Sequence, residues 1–549
     1  MKEGFRQSMA WLHTWSGLLV GWVLFLVFCG GTSSYFKDEI TFWMKPELHR
    51  AASEPVSPER AAQAAVDYLQ KHGADAQRWF ISLPTEREPM DRMFWNPKPQ
   101  PPRPGEAAPR RAAFKSVNLD PATGEPSTGA RETRGGEFLY RLHYDLHYMP
   151  AIWARWIVGF CAMFMLVAIL SGIVTHKRIF KDFFTFRPKK GQRSWLDAHN
   201  ATAVLALPFH LMITYTGLVT LMFMYMPSAL QAAYQGDTKA FNAEMFPAFS
   251  ARNEKPAGQP ATLAAIAPLM AQARQHWGEG AQVGRLVVTN PNDANAVITI
   301  TKQDGQDMSS DQPSMVFHGV TGELQQANGD TPGGAVQTRG VLYGLHLAHF
   351  SNPLMRGLFF LSGLGGCVMV ATGLLLWGVK ERQKYAKALK AGGRVGFGLR
   401  LVDGLNVAAI AGLPIAFATY FWANRLLPVG IAGRPQEEIT CFFAAWGVAA
   451  VAGLAWPSRR MWQIQLWLGA VLFACVPLLN AFTGPGNLVM AMANGLWAVA
   501  GFDLVCLGLG LALAGAAWHV GKRKAAAKAR AAPARAAASA GAGELGAAP

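Results

Sequence analysis

The chain of 549 residues is 51% hydrophobic and only 16% charged, with 18 Trp, 32 Phe, 56 Gly and a formal charge of +16. A soluble protein carries about 25% charged residues, so this composition excludes an ordinary water-soluble enzyme and a disordered chain. Six cysteines (Cys29, Cys161, Cys367, Cys441, Cys475, Cys506) lie in apolar runs without CxxC spacing; they read as small buried hydrophobes, not a disulfide framework or zinc site.

A helix that crosses a bilayer needs roughly 20 apolar residues. Eight stretches qualify: Met9–Phe36, Trp156–Thr175, Ala201–Pro227, Gly357–Val379, Gly404–Trp422, Ile439–Trp456, Trp462–Phe482 and Leu488–Val520. The predicted fold is mainly α, a polytopic membrane helix bundle of about eight spans carrying two small α+β domains outside the bilayer. In chain order these are a first span (1–36), an outer segment (37–150), spans two and three with a basic loop (151–227) and a second outer segment (228–352). Span four with a basic loop (353–400), a bundle of four further spans (401–520) and an Ala-rich basic tail (521–549) follow, the tail expected to be disordered.

The charge has a side. Loops and termini on one side of the eight-span topology hold 24 basic residues against six acidic ones. The positive-inside rule makes that side cytoplasmic, with both termini there and the outer segments opposite. The basic pI is therefore a membrane-orientation signal, the partner it implies is the lipid bilayer, and nucleic acid is excluded.

The first half repeats itself. Leu139-Tyr140-Arg141-Leu142-His143 precedes span two as Leu342-Tyr343-Gly344-Leu345-His346 precedes span four, and Gly31 and Gly217 each lie 18 residues past a histidine, His13 and His199. Each outer segment has an Ala-rich amphipathic helix (Pro58–His72; Ala261–Trp277), short strands (Trp79–Leu83; Arg285–Thr289, Ala296–Thr301) and a hairpin ending in Thr-Gly-Glu (Thr123-Gly124-Glu125; Thr321-Gly322-Glu323). The predicted unit is span, small domain, span, used twice, with spans five to eight appended. The Pro-rich stretch Pro89–Pro109, with Met93, Phe94 and Trp95, reads either as a surface loop or as an aromatic face for a bulky ligand.

These paired segments resemble PepSY domains, and the helices around them resemble the PepSY-associated transmembrane helix family, over roughly residues 5–390. The resemblance implies an inner-membrane, haem-carrying ferric-siderophore reductase. Some members carry a fused flavodoxin-like reductase module; here no flavin- or dinucleotide-binding motif follows span four, so the electron donor, cytoplasmic or quinol, stays open.

Eight of the 13 histidines sit in or beside spans one to four: His13, His143, His147, His176, His199, His210, His346 and His349. Topology sorts His13, His176 and His199 to the inner face and His143, His147, His346 and His349 to the outer face, with His210 deeper in span three. His199 and His210 are 11 residues apart, so a straight helix places them on one face about 16 Å apart. Two tiers of imidazoles inside a bundle suit two b-type haems with axial histidines; C-x-x-C-H is absent, so covalent attachment is excluded. The expected ligands are His13 or His199 for one haem and His147 or His349 for the other. Gly17 and Gly21 would let a macrocycle approach span one, or serve helix packing. Asp145 and Asp197 read as imidazole acceptors or solvated carboxylates, and Asp503 as part of a proton path, a quinol site or a buried polar pair. The alternatives to a transmembrane ferric reductase are a PepSY-type regulator or assembly factor of periplasmic proteins, and a metal or proton transporter.

Overall fold

The structure is a computed structural model and describes residues 3–49, 56–97, 114–127, 129–176, 187, 190, 192–245 and 255–541, without side chains beyond 522. Most of the sequence-predicted basic loop between spans two and three, and residues 98–109 of the Pro-rich stretch, lie outside the described residues.

Long apolar helices dominate: α1 (Glu3–Ser34), α5 (Ala151–Thr175), α10 (Pro353–Lys384), α11 (Phe397–Leu426), α12 (Arg434–Ala455), α13 (Arg459–Thr483) and α14 (Trp497–Gly541). All seven contain a stretch long and apolar enough to cross a bilayer. The eighth expected span is a bent pair, α6 (Gln192–Leu205) and α7 (Leu207–Thr220), turned by 67° at Ala206. Pro208 supplies the cause: it lacks an N–H and its ring clashes with the carbonyl four residues earlier. The last span starts later than expected, because a short helix (Leu488–Ala493) ends at Gly495, which is left-handed at φ +71°. Beyond Gly521 the sequence predicts disorder, but the backbone stays helical to Gly541, as its run of Ala, Lys and Arg favours.

Between the spans lie α2 (Lys37–Trp43), α3 (Pro58–His72), α4 (Gly135–Asp145), α8 (Ile266–Trp277) and α9 (Gly334–Leu347). Helix α3 begins where Ser57 caps the Arg60 N–H and Pro58 takes the first turn. The strands are β1 (Ala76–Ser82), β2 (Asp91–Pro97), β3 (Lys115–Leu119), β4 (Val283–Thr289), β5 (Val297–Lys302), β6 (Ser314–His318) and β7 (Leu324–Asn328). They form one antiparallel sheet in the order β3-β2-β1-β4-β5-β6-β7. The two outer segments are thus not separate sheets: β1 pairs with β4, Phe80 opposite Val287. The Thr-Gly-Glu turns behave alike, with Gly124 and Gly322 left-handed at φ +71° and +73°.

Period-two alternation sorts the sheet's faces. Trp79 and Ile81, Met93 and Trp95, Leu286 and Val288, Ile298 and Ile300, Met315 and Phe317 all point to one side, where α3 and α8 cover them with Ala65, Leu69, Leu269 and Met270. Each fully buried large side chain contributes about 1.5–3 kcal/mol, so this layer forms a second core beside that of the bundle. The Pro-rich stretch is corrected here: residues 91–97 are strand β2, and Met93 and Trp95 belong to the core rather than to an aromatic surface. The other face (Arg78, Phe80, Arg285, Val287, Thr301) looks onto α2 and the start of α10 across a cavity of about 1290 Å³.

The last four helices join the first half through buried polar contacts. Asp503 is fully buried and accepts from Trp43 Nε1 at 2.9 Å and Asn480 Nδ2 at 2.8 Å. Arg425 lies 4.0 Å over the Trp43 ring and donates to Trp43 O and Asn480 Oδ1. Nearby, Glu438 pairs with Arg434 and accepts from Asn424 and Thr133. Of the roles left open for Asp503, the buried polar pair is the one its contacts describe.

Candidate functional site

The histidines meet in two pairs. At the bundle end away from the sheet, His13 of α1 faces His199 of α6, ring centroids 6.2 Å apart. Nearer the sheet, His143 of α4 faces His346 of α9 at 6.1 Å. Val27, the backbone partner of His143, lies 14 residues beyond His13, which is about 21 Å along α1.

All four rings sit in the same kind of seat. His13 Nδ1 lies 2.8 Å from Ala168 O, and its ring rests on Gly172, one turn further along α5. His199 Nδ1 lies 3.0 Å from Met369 O and rests on Gly373 of α10. His143 Nδ1 lies 2.7 Å from Val27 O and rests on Gly31. His346 Nδ1 reaches Thr216 Oγ1 at 3.1 Å and the Ile213 backbone, and rests on Gly217. A backbone carbonyl accepts and never donates, so for His13, His199 and His143 the Nδ1 atom carries the proton and Nε2 is the lone-pair nitrogen. That is the tautomer of an oriented metal ligand. A Cβ would clash with the rings of His143 and His346, at 2.7 and 2.9 Å from their Cε1 atoms, and crowd those of His13 and His199, at 3.1 and 3.2 Å. Each ring is only partly covered by protein.

The other four expected histidines lie outside these pairs. Helices α4 and α9 end before His147 and His349, in left-handed residues Leu146 and Ala348, so the i,i+4 and i,i+3 geometry expected from a continuing helix does not arise. His147 is stacked on Phe443, and His349 is paired with Asp304 at the cavity under the sheet. Burial works to raise the Asp304 carboxyl, but the hydrogen bond and charge of His349 outweigh it and hold it below the ordinary value. His176 caps α5 and takes a 2.7 Å contact from Asn200 Nδ2. His210, 1% exposed, lies edge-on to Phe28 at 6.0 Å and against the Ser362 backbone; the bend at Ala206 separates its face from that of His199. Asp197 is held by Arg187 and Asp145 by Arg155, neither by an imidazole.

The two glycines singled out in span one divide. Gly21 meets Leu374 of α10 and is a packing glycine, while a Cβ on Gly17, one turn beyond His13, would meet nothing. The glycines that touch the rings escaped sequence reasoning, although the 18-residue spacing to Gly31 and Gly217 was the signal. Among the described residues no three His, Cys, Asp or Glu side chains gather as a metal cage. Two imidazoles facing each other suit a metal whose remaining positions a planar macrocycle fills.

Buried polar groups inside apolar helices, seven full-length spans and one bent one define a multi-pass helical membrane protein. The chain belongs to the family described as PepSY-associated TM region, whose model matches residues 10–380. It is also similar to the uncharacterized protein PA4219 of Pseudomonas aeruginosa, 26% identical over 372 residues, which cover 64% of this chain and 87% of that relative. Helices α11 to α14 fall beyond the family match.

Proposed function

We propose that each histidine pair holds the iron of one b-type haem, and that the protein carries single electrons within the cell inner membrane to a ferric chelate at its outer face, by class a ferric siderophore. In this reading both termini are cytoplasmic, the sheet is periplasmic, and residues 1–390 are a span–domain–span unit used twice with PepSY-type domains. The ring separation carries it. The rings of each pair stand 6.2 and 6.1 Å apart, room for one metal ion held by both imidazoles at about 2.0–2.1 Å from each nitrogen.

Haem bound at these pairs would supply reversible one-electron chemistry. The chain's own residues do the rest. Ala168, Met369 and Val27 orient the rings through Nδ1, and the four glycines let the imidazoles stand upright between helices. Under the sheet, seven basic side chains (Lys37, Arg78, Arg87, Arg92, Arg285, Lys302, Arg356) outnumber four acidic ones (Asp38, Glu86, Glu88, Asp304) around a cavity whose net positive lining suits a chelate carrying negative charge. Reduction to Fe(II) weakens the hold of hard oxygen ligands, and the metal is released.

The visible spectrum of the purified protein tests this. A Soret band with a dithionite-sharpened α band is expected, with His13→Ala or His199→Ala removing one haem and His143→Ala or His346→Ala the other. A colourless protein from haem-supplied cells would overturn the reading.

A further inference from the structure

A second cavity lies across α4 from His143. It is an open hollow of about 580 Å³ lined by Arg141, Asp145, His147, Tyr148, Ala151 and Gln436 among others, a volume in the range of small-molecule sites. Leu142 and Asp145 of α4 face it while His143 of the same helix faces Val27. The cavity and the sheet-side pair are therefore separated by one helix diameter, about 10 Å.

Its wall is strained. Leu146, His147 and Tyr148 are three consecutive non-glycine residues with φ of 53°, 57° and 50°, a conformation costing roughly 1–2 kcal/mol per residue. The matching turn after α9 has only Ala348 left-handed. The extra strain is thus local to the cavity, as at sites where function holds it in place. Its result is to set the His147 ring between Phe443 (5.5 Å, nearly parallel) and Phe138 (5.7 Å, edge-on) at the cavity wall. His147 makes no hydrogen bond to a described residue. Burial, with Arg134 adding to it, pushes its pKa below the ordinary histidine value, so the ring is neutral and able to take a proton. Asp145 is fixed by Arg155 at 2.8 Å, and Gln436 donates to the Tyr148 hydroxyl at 3.2 Å. The mouth is at membrane level: Ala151 opens span α5, and Ile152, Trp153 and Trp156 just beyond it are exposed, as side chains at a lipid boundary are.

We propose that this cavity is the binding site for a membrane quinol, which serves as the electron donor. The proposal rests on the haem reading of the histidine pairs. A quinol losing two electrons becomes a quinone and releases two protons. Haems held by the His143–His346 and His13–His199 pairs would accept one electron each. The protons leave through the His147 imidazole to water on the sheet side. A two-electron donor and a one-electron acceptor need storage for the second electron, and two tiers provide it, which also explains why a pair remote from the chelate cavity is present at all.

The test uses the full-length protein in lipid nanodiscs. Anaerobic decylubiquinol is expected to raise the ferrous α band in wild type and to do so at least tenfold more slowly in Ala151→Trp and His147→Phe. Dithionite should reduce all three fully, with unchanged melting temperatures. An azido-quinone probe should label residues 141–151 or Gln436, a readout that needs no haem. Equal quinol rates in all three proteins, label found elsewhere, or lipid as the only extractable occupant would overturn the site. A haem-free preparation still labelled at 141–151 would keep the site and sink the haem reading, so the two failures are separable.

Discussion

Gly31 and His143 touch so closely that any side chain on the first must displace the second: a Cβ at Gly31 would sit 2.7 Å from both Cε1 and Nδ1 of the ring. The same atom pair includes the nitrogen that binds Val27 O, so a substitution would break the orienting hydrogen bond as well as crowd the ring.

If each pair holds a haem as proposed, Gly31→Ala is therefore expected to cut haem content from two to about one per chain and leave the His13–His199 tier intact. Gly17→Ala, where a Cβ meets nothing in the protein, is its comparison on the other tier. Pyridine haemochrome analysis with a redox titration reads both: one midpoint should vanish in the first variant.

Asp503 and Arg425 clamp the last four helices to α2. Removing one partner of such a buried cluster costs on the order of 3–5 kcal/mol, so Asp503→Ala should lower the melting temperature in detergent by many degrees. Adding Arg425→Leu should cost much less than its own single effect, because the two share partners. Additive losses would show that they act separately.

Asp91 is fully buried in β2 with neither carboxylate oxygen hydrogen-bonded, and burial raises its pKa to about 8. The folded form holds its proton where the unfolded form, near pH 4, has lost it. Stability from this group is thus present below pH 4 and falls as pH rises to about 8. Asp91→Asn should raise the melting temperature at pH 8, leave it nearly unchanged at pH 4, and flatten the slope between; an equal shift at both pH values would contradict the assignment.

Glu39 of α2 ties the sheet to the membrane half, taking two 2.9 Å bonds from Arg87 and one of 3.0 Å from Arg356. Glu39→Gln should loosen that joint by about 1–3 kcal/mol. Hydrogen exchange should rise around residues 84–89 and the start of α10, with the strands themselves unchanged.

Much of this was legible in the sequence. Continuous apolar runs announce spans because lipid offers nothing to a polar side chain, and α3 emerged with the bounds its cap and amphipathic spacing give. Topology put His13, His176 and His199 at one face, but did not say which two of them would meet. The partner of His143 was equally hidden: helical spacing made His143 and His147 look alike, and only the left-handed turn at Leu146 turns one inward and the other toward Phe443. Nor does local sequence reveal that β1 finds β4, since both edges alternate equally well and the match is made over 200 residues of chain.

That shared β1–β4 seam makes the two outer segments inseparable. Expressed as a fragment, either one would bare a strand along its whole length, a ready template for a stray copy. The soluble half of this protein is then best obtained as both pieces together, and a nascent chain must hold its first meander unfinished until the second has been made.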